Sequence, residues 1–168
     1  MLKCFNTVQV CEASEFTEED LPERKTGVIL ITQSGETADL IKILKWTDKR
    51  GIFTMGVCNV VGSTISRSTH CGLFCNAGRE VAVAATKTFT SQIIALCLIA
   101  IWISNRRGRS DVLQQRIKYI ECLHQLPTKV GKCLHDINGS VMKAICEKLK
   151  KEDSLFLLGK GFGNSIAK

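Results

Sequence analysis

Continuous apolar runs and helical stripes take turns along the first two thirds of the chain. "NTVQVCEA" (6–13) reads as a short strand and "SEFTEEDLPER" as a polar connection. "GVILIT" (27–32) is an unbroken apolar run of the kind shown by a strand buried on both faces. Residues 36–50 change to a helical rhythm, with Leu40, Ile41, Leu44 and Thr47 on one stripe. Gly51 stands where a C′ residue would close that helix. "IFTMGVCN" (52–59) and "CGLFCN" (71–76) are two further buried-strand runs, separated by "VGSTISRSTH", a turn region with one helical turn. "AGREVAVAATK" reads as a loop, and residues 88–104 as a long helix. Strands alternating with helical crossovers predict an α/β fold of three layers, a mainly parallel sheet of about four or five strands flanked by helices.

After Ser110 the rhythm changes. Residues 111–125 and 128–150 keep helical periodicity, with interruptions at Pro127 and around Gly139. "SLFLLGKGFGNS" then predicts another strand entering a glycine-rich loop, a second candidate for ligand binding. The most apolar run, "IIALCLIAIWI" (93–103), falls short of the ~20 residues that span a bilayer. It predicts a helix buried on most sides or packed against another subunit, and no membrane partner.

Composition removes several classes of function. The chain has 168 residues, 45% of them apolar, enough for a sizeable core. The net charge of +7 is spread, with small clusters at Arg106, Arg107 and Arg109 and at Lys148, Lys150 and Lys151. That distribution fits solvated helix ends better than a nucleic-acid surface, and 6% aromatics is low for an RNA-stacking module. No nucleic-acid partner is expected. Nine cysteines, odd in number and scattered, predict free thiols in a reducing intracellular compartment. Cys71 and Cys75 lack a second ligand pair for zinc, and His70, His124 and His135 stand singly.

The chemistry concentrates at "TQSGETADL" (32–40), between a strand and a helix. Helix N-termini carry N–H groups without intrahelical partners and a partial positive charge. Thr32, Gln33, Ser34 and Thr37 add side-chain donors, and Gly35 lets the backbone approach a ligand closely. The set suits a phosphate monoester. It lacks the GxxxxGK[ST] and GxGxxG patterns of nucleotide loops. The same spacing also fits a plain capped helix, with Ser34 as N-cap and Thr37 at N3. Lys87, at the start of the long helix, could approach a phosphate, although a solvated helix-end lysine fits its position better.

"QSGETADLIKILK", followed by "GVCNVVGSTISRSTHCGLFCNAGREVAVAATKTFTSQ", resembles the sugar isomerase (SIS) domain of the glutamine–fructose-6-phosphate aminotransferases, also called glucosamine-6-phosphate synthases. The family pattern runs SQSGETADT, then CNVxGSxxxRxxD, then NAGxEIGVASTKAFTxQ. These motifs recur in order over residues 33–92. The resemblance implies a flavodoxin-like SIS fold over residues 1–150 without its first helix, followed at 151–168 by the opening strand and loop of a second SIS half. It implies that Gln33, Ser34, Gly35 and Thr37 hold the phosphate of fructose 6-phosphate or glucosamine 6-phosphate, with Thr32 in place of a serine. Val83 would offer a backbone contact to the sugar, and Ala85 stands where the family has a serine hydroxyl. No metal or organic cofactor is implied, and the compartment would be the cytoplasm. The glutaminase nucleophile and the family's glutamate, histidine and Schiff-base lysine have no counterparts here, so the chain alone is expected to be inactive. The apolar run Ile93–Ile103 would lose part of its cover without the second half, so self-association is expected. A non-catalytic SIS module that senses a phosphosugar is the alternative.

Overall fold

The computed structural model describes residues 4–21, 25–82, 84–137 and 139–160. Three strands, β1 (Gly27–Thr32), β2 (Phe53–Cys58) and β3 (Cys71–Phe74), form a parallel sheet in the order β1-β2-β3. Gly27 lies opposite Phe53 and Thr32 opposite Cys58, while Cys58 also faces Phe74. All three strands therefore end at the same edge. The neighbouring strands expected at 27–32, 52–58 and 71–75 are present, but the sheet has three strands among the described residues rather than about four or five. Residues 6–13 take no place in it; Val10 is 93% exposed, and an extended segment without a ladder partner is not a strand.

Helices cover both faces. Helix α1 (Ala38–Lys49) and the short α2 (Thr64–Ser68) bury Ile43, Leu44 and Ile65 against Leu30 and Cys58. Helix α3 (Lys87–Arg106) buries Ala95 and Ile99 against Val57 on the opposite face. Each such large apolar side chain contributes about 1.5–3 kcal/mol when fully buried. Helix α1 ends as its sequence demands. Gly51 takes φ +65°, its N–H reaches Asp48 O at 2.9 Å, and the Ile52 N–H reaches Thr47 O at 2.8 Å. That is the Schellman pattern. Between β2 and β3 the chains touch at Gly56 and Gly72; a Cβ on Gly72 would sit 2.5 Å from the Gly56 carbonyl oxygen.

At 20 residues, α3 is longer than its apolar run suggested, and by length and composition alone it could cross a bilayer. It is instead a layer of the α/β fold through Ala95 and Ile99. The rest of its apolar surface is open: Phe89, Ile93, Leu98 and Trp102 are exposed, so the helix is buried along one stripe rather than on most sides.

The chain divides into two compact units, Met1–Leu123 and His124–Lys168. Helix α4 (Leu113–Asp136) runs through Pro127 instead of stopping there. Proline lacks the N–H that would bond the carbonyl four residues back, which is Leu123, the last residue of the first unit. The second unit holds the end of α4 and α5 (Gly139–Leu149), which buries none of its residues. Residues 154–160 form no strand, having no pairing partner among the described residues. Residues 161–168, with most of "GKGFGNS", lie outside the described residues.

Candidate functional site

Because β1, β2 and β3 run parallel, the loops that follow them emerge together. Parallel sheets bind ligands outside these carboxyl ends. An open cleft of ≈ 460 Å³ lies there, lined by Gln33 after β1, Asn59 and Val60 after β2, and Asn76, Gly78, Arg79 and Glu80 after β3.

The loop after β1 is interlocked. Gly35 takes φ +70° and presses on α2's entry: a Cβ there would lie 1.9 Å from Ser63 Oγ. The Ile65 N–H donates to Gly35 O at 3.1 Å, and the Thr64 N–H donates to Glu36 Oε1 at 2.7 Å. The Thr64 N–H, then the Thr64 hydroxyl, holds the Glu36 carboxyl below its ordinary range. Glu36 therefore serves the N-terminus of α2, not that of its own helix. Within the loop, the buried Thr32 Oγ1 accepts from the Gly35 N–H at 3.2 Å and pairs with Thr37 Oγ1 at 3.0 Å. Ser34 Oγ accepts from the Glu36 N–H at 3.1 Å.

The plain capping arrangement is absent. The N-cap of α1 is Thr37, not Ser34. Among the described residues no side chain caps the first-turn N–H groups of α1.

The loop after β3 hangs on two side chains. Asn59 Nδ2 donates to Gly78 O at 2.7 Å, and the Ala77 N–H donates to Asn59 Oδ1 at 2.9 Å. Glu80 accepts from the Thr86 N–H at 3.1 Å and from Thr88 Oγ1 at 2.9 Å. The Thr86 backbone bond, then the Thr88 hydroxyl, lowers the Glu80 carboxyl to about 2. It caps the start of α3.

The structure brings Thr32, Gln33, Ser34, Gly35 and Thr37 into one turn, of which only Gln33 lines the cleft. Ala85 is exposed and does not line it, and Val83 lies outside the described residues. The sequence reading assigned no role to Asn59, Arg79 or Glu80. A polar residue directly after the β2 run, and a carboxylate shortly before two threonines at a helix start, were the available signals. Among the described residues no group of three His, Cys, Asp or Glu side chains could hold a metal ion.

The family model for the SIS domain matches residues 4–102, from the N-terminal segment through most of α3. The chain belongs to the SIS domain family. A glutamine–fructose-6-phosphate aminotransferase [isomerizing] of Saccharomyces cerevisiae is 40% identical over 156 residues, 92% of this chain and 21% of the relative. One from Chlorobaculum tepidum is 41% identical over 162 residues, 95% of this chain and 26% of the relative. The chain thus spans about a quarter or less of these curated relatives. Among solved structures, the C-terminal domain of glucosamine-fructose-6-phosphate aminotransferase from Francisella tularensis superposes with a TM-score of 0.74 at 31% identity, covering 86% of this chain and 42% of that one. The SIS domain's parallel sheet with helices on both faces agrees with that neighbour.

Proposed function

We propose that this SIS domain binds a hexose 6-phosphate, fructose 6-phosphate or glucosamine 6-phosphate, as the isomerase-domain portion of a glutamine–fructose-6-phosphate aminotransferase in hexosamine synthesis. The observation that carries the reading is the convergence of three strand-end loops on one cleft, with the hydroxyl-rich turn at its β1 side. The names of the relatives support the choice of sugar. The phosphate lies against Ser34, Thr37 and the first-turn N–H groups of α1. Thr32 acts through Thr37: donating to Thr37 Oγ1 leaves that hydroxyl's hydrogen for the ligand.

Calorimetry with glucosamine 6-phosphate tests this. Ser34→Ala together with Thr37→Ala weakens binding by about 100-fold or more, from two charge-assisted hydrogen bonds that contribute about 1.5–3 kcal/mol each. Equal affinity in wild type and double variant removes the loop from the site.

The isolated chain positions the sugar without turning it over. Proton transfer between C1 and C2 needs an acid–base group in reach. The carboxylate of the phosphate loop, Glu36, is committed to the Thr64 N–H. Fructose 6-phosphate with glutamine or ammonia yields no product above the blank; turnover abolished by Glu36→Gln contradicts this. The exposed Phe89, Ile93, Leu98 and Trp102 of α3, with Ile29 and Ile31 of β1, drive self-association. A clean monomer in sedimentation at tens of micromolar, roughly the range in which exposed apolar surface associates, opposes that. The proposed compartment is the cytoplasm, where thiols persist as the nine free cysteines do here.

A further inference from the structure

We propose that Asn59 is a positioning residue of the cleft: it ties the hydroxyl turn after β1 to the loop after β3, so that the turn meets the phosphate and the loop it holds meets the sugar. The inference rests on the phosphosugar reading above and divides that ligand between two parts of the site. Asn59 directly follows β2, the middle strand. Its backbone N–H donates to Gln33 O at 3.1 Å, on the β1 side. Its side chain serves the β3 side: Nδ2 donates to Gly78 O at 2.7 Å, and Oδ1 accepts from the Ala77 N–H at 2.9 Å. Gln33, Asn59 and Gly78 all line the cleft.

A carboxamide fits this task. The loop offers a carbonyl at Gly78 and an N–H at Ala77, so its holder needs a donor and an acceptor on one short side chain. An aliphatic side chain gives neither, and a carboxylate gives acceptors alone. The grip falls where the chain turns: Asn76, just before it, takes φ +50°, the left-handed region that asparagine tolerates. Arg79 and Glu80 follow the clamp and line the cleft. The turn after β1 has its own fastening, independent of the Asn59 side chain. Gly35 packs on Ser63, and its carbonyl accepts from the Ile65 N–H. Removing the Asn59 carboxamide therefore frees the β3 loop and leaves the phosphate turn as it is. For a bound phosphosugar the result is a split: the sugar loses contacts and the phosphate keeps its own.

Calorimetry on the full chain reads the affinity for glucosamine 6-phosphate directly, and that for inorganic phosphate by its displacement of the sugar phosphate. Asn59→Ala lowers the first about tenfold, the scale of one or two neutral hydrogen bonds to the sugar, and leaves the second within about twofold. Asn59→Gln, which keeps donor and acceptor on a longer arm, recovers part of the loss. An equal loss of both affinities, or no loss of either, makes Asn59 a purely structural residue and overturns this inference while the phosphosugar reading stands. Inorganic phosphate that fails to displace the sugar phosphate from wild type also overturns it. A wild-type chain that binds no glucosamine 6-phosphate overturns the phosphosugar reading itself, and this inference with it.

Discussion

The loops after β1 and β3 sit at the same edge of one sheet, yet they are held by different means. The first is wedged. Gly35 has no space for a side chain against Ser63, and α2's first N–H groups bond back into the loop through Gly35 O and Glu36. The second is tethered. Its residues 76–80 are mostly exposed, and it depends on Asn59 at one end and Glu80 at the other. A wedge fixes positions to a few tenths of an ångström through packing, which suits a group that must always be met in the same way. A tether leaves the side chains it carries open to change at little cost, which suits the part of a site that tunes which ligand is preferred.

The comparison breaks most sharply at Gly35. Gly35→Ala places a Cβ 1.9 Å from Ser63 Oγ and 2.4 Å from Ser63 Cβ, in a left-handed backbone that disfavours it. Overpacking and the left-handed conformation together cost about 3 kcal/mol. Urea unfolding measures it. Adding Ser63→Gly recovers the contact part and leaves a residual of about 1 kcal/mol, a coupling that only touching residues show. If Gly35→Ala leaves the midpoint in place, the first loop is not wedged.

Asn59→Ala cuts the near tether. Two hydrogen bonds vanish, but Gly78 O and the Ala77 N–H can turn to water, so global stability falls by only about 1 kcal/mol. The larger consequence is local: the Ala77 amide exchanges faster, while the Ile65 amide, bonded to Gly35 O, keeps its rate. Asn59→Asp retains the acceptor for Ala77 and loses the donor for Gly78, giving an intermediate result. Faster exchange at both amides would mean that the loops are one structure.

The same difference decided what could be read from the sequence. The strands at 27–32, 52–58 and 71–75 and the helices α1 and α3 were legible because each is a long apolar pattern that packing reinforces. Residues 6–13 and 154–160 have strand-like composition, but a strand exists only with a partner, and pairing is not a local property. The hydroxyl loop was legible as chemistry but not as geometry. Nothing local says that the carboxylate of Glu36 reaches Thr64 across 28 residues, or that the helix begins beyond Ser34. Pro127 misled because a helix with enough other support absorbs the loss of one bond. Arg79 was visible as a charge; that it lines the cleft depends on Asn59, whose partners lie 18 and 19 residues away.

The smallest effect concerns the far tether, and it is a function of pH. The Glu80 carboxyl stands at about 2 in the folded chain against an ordinary 4.5, chiefly through the Thr86 N–H and the Thr88 hydroxyl. A carboxyl whose folded value is depressed adds stability that is present above its unfolded value and is lost as pH falls through the folded one. The Thr86 and Thr88 amides are therefore protected at neutral pH and lose that protection between about pH 4.5 and about pH 2. Glu80→Gln keeps an acceptor but no charge, so its protection is weaker at neutral pH and flat across the window. Wild type and variant approach one another only as the pH falls through the folded value. Glu36 titrates in the same direction on the other loop, its carboxyl being lowered by Thr64. The Ile65 amide, held by a backbone carbonyl, serves as the internal reference. An acid-dependent loss at Thr88 that persists unchanged in Glu80→Gln would assign the tether to another group and remove the distinction between the loops at this end.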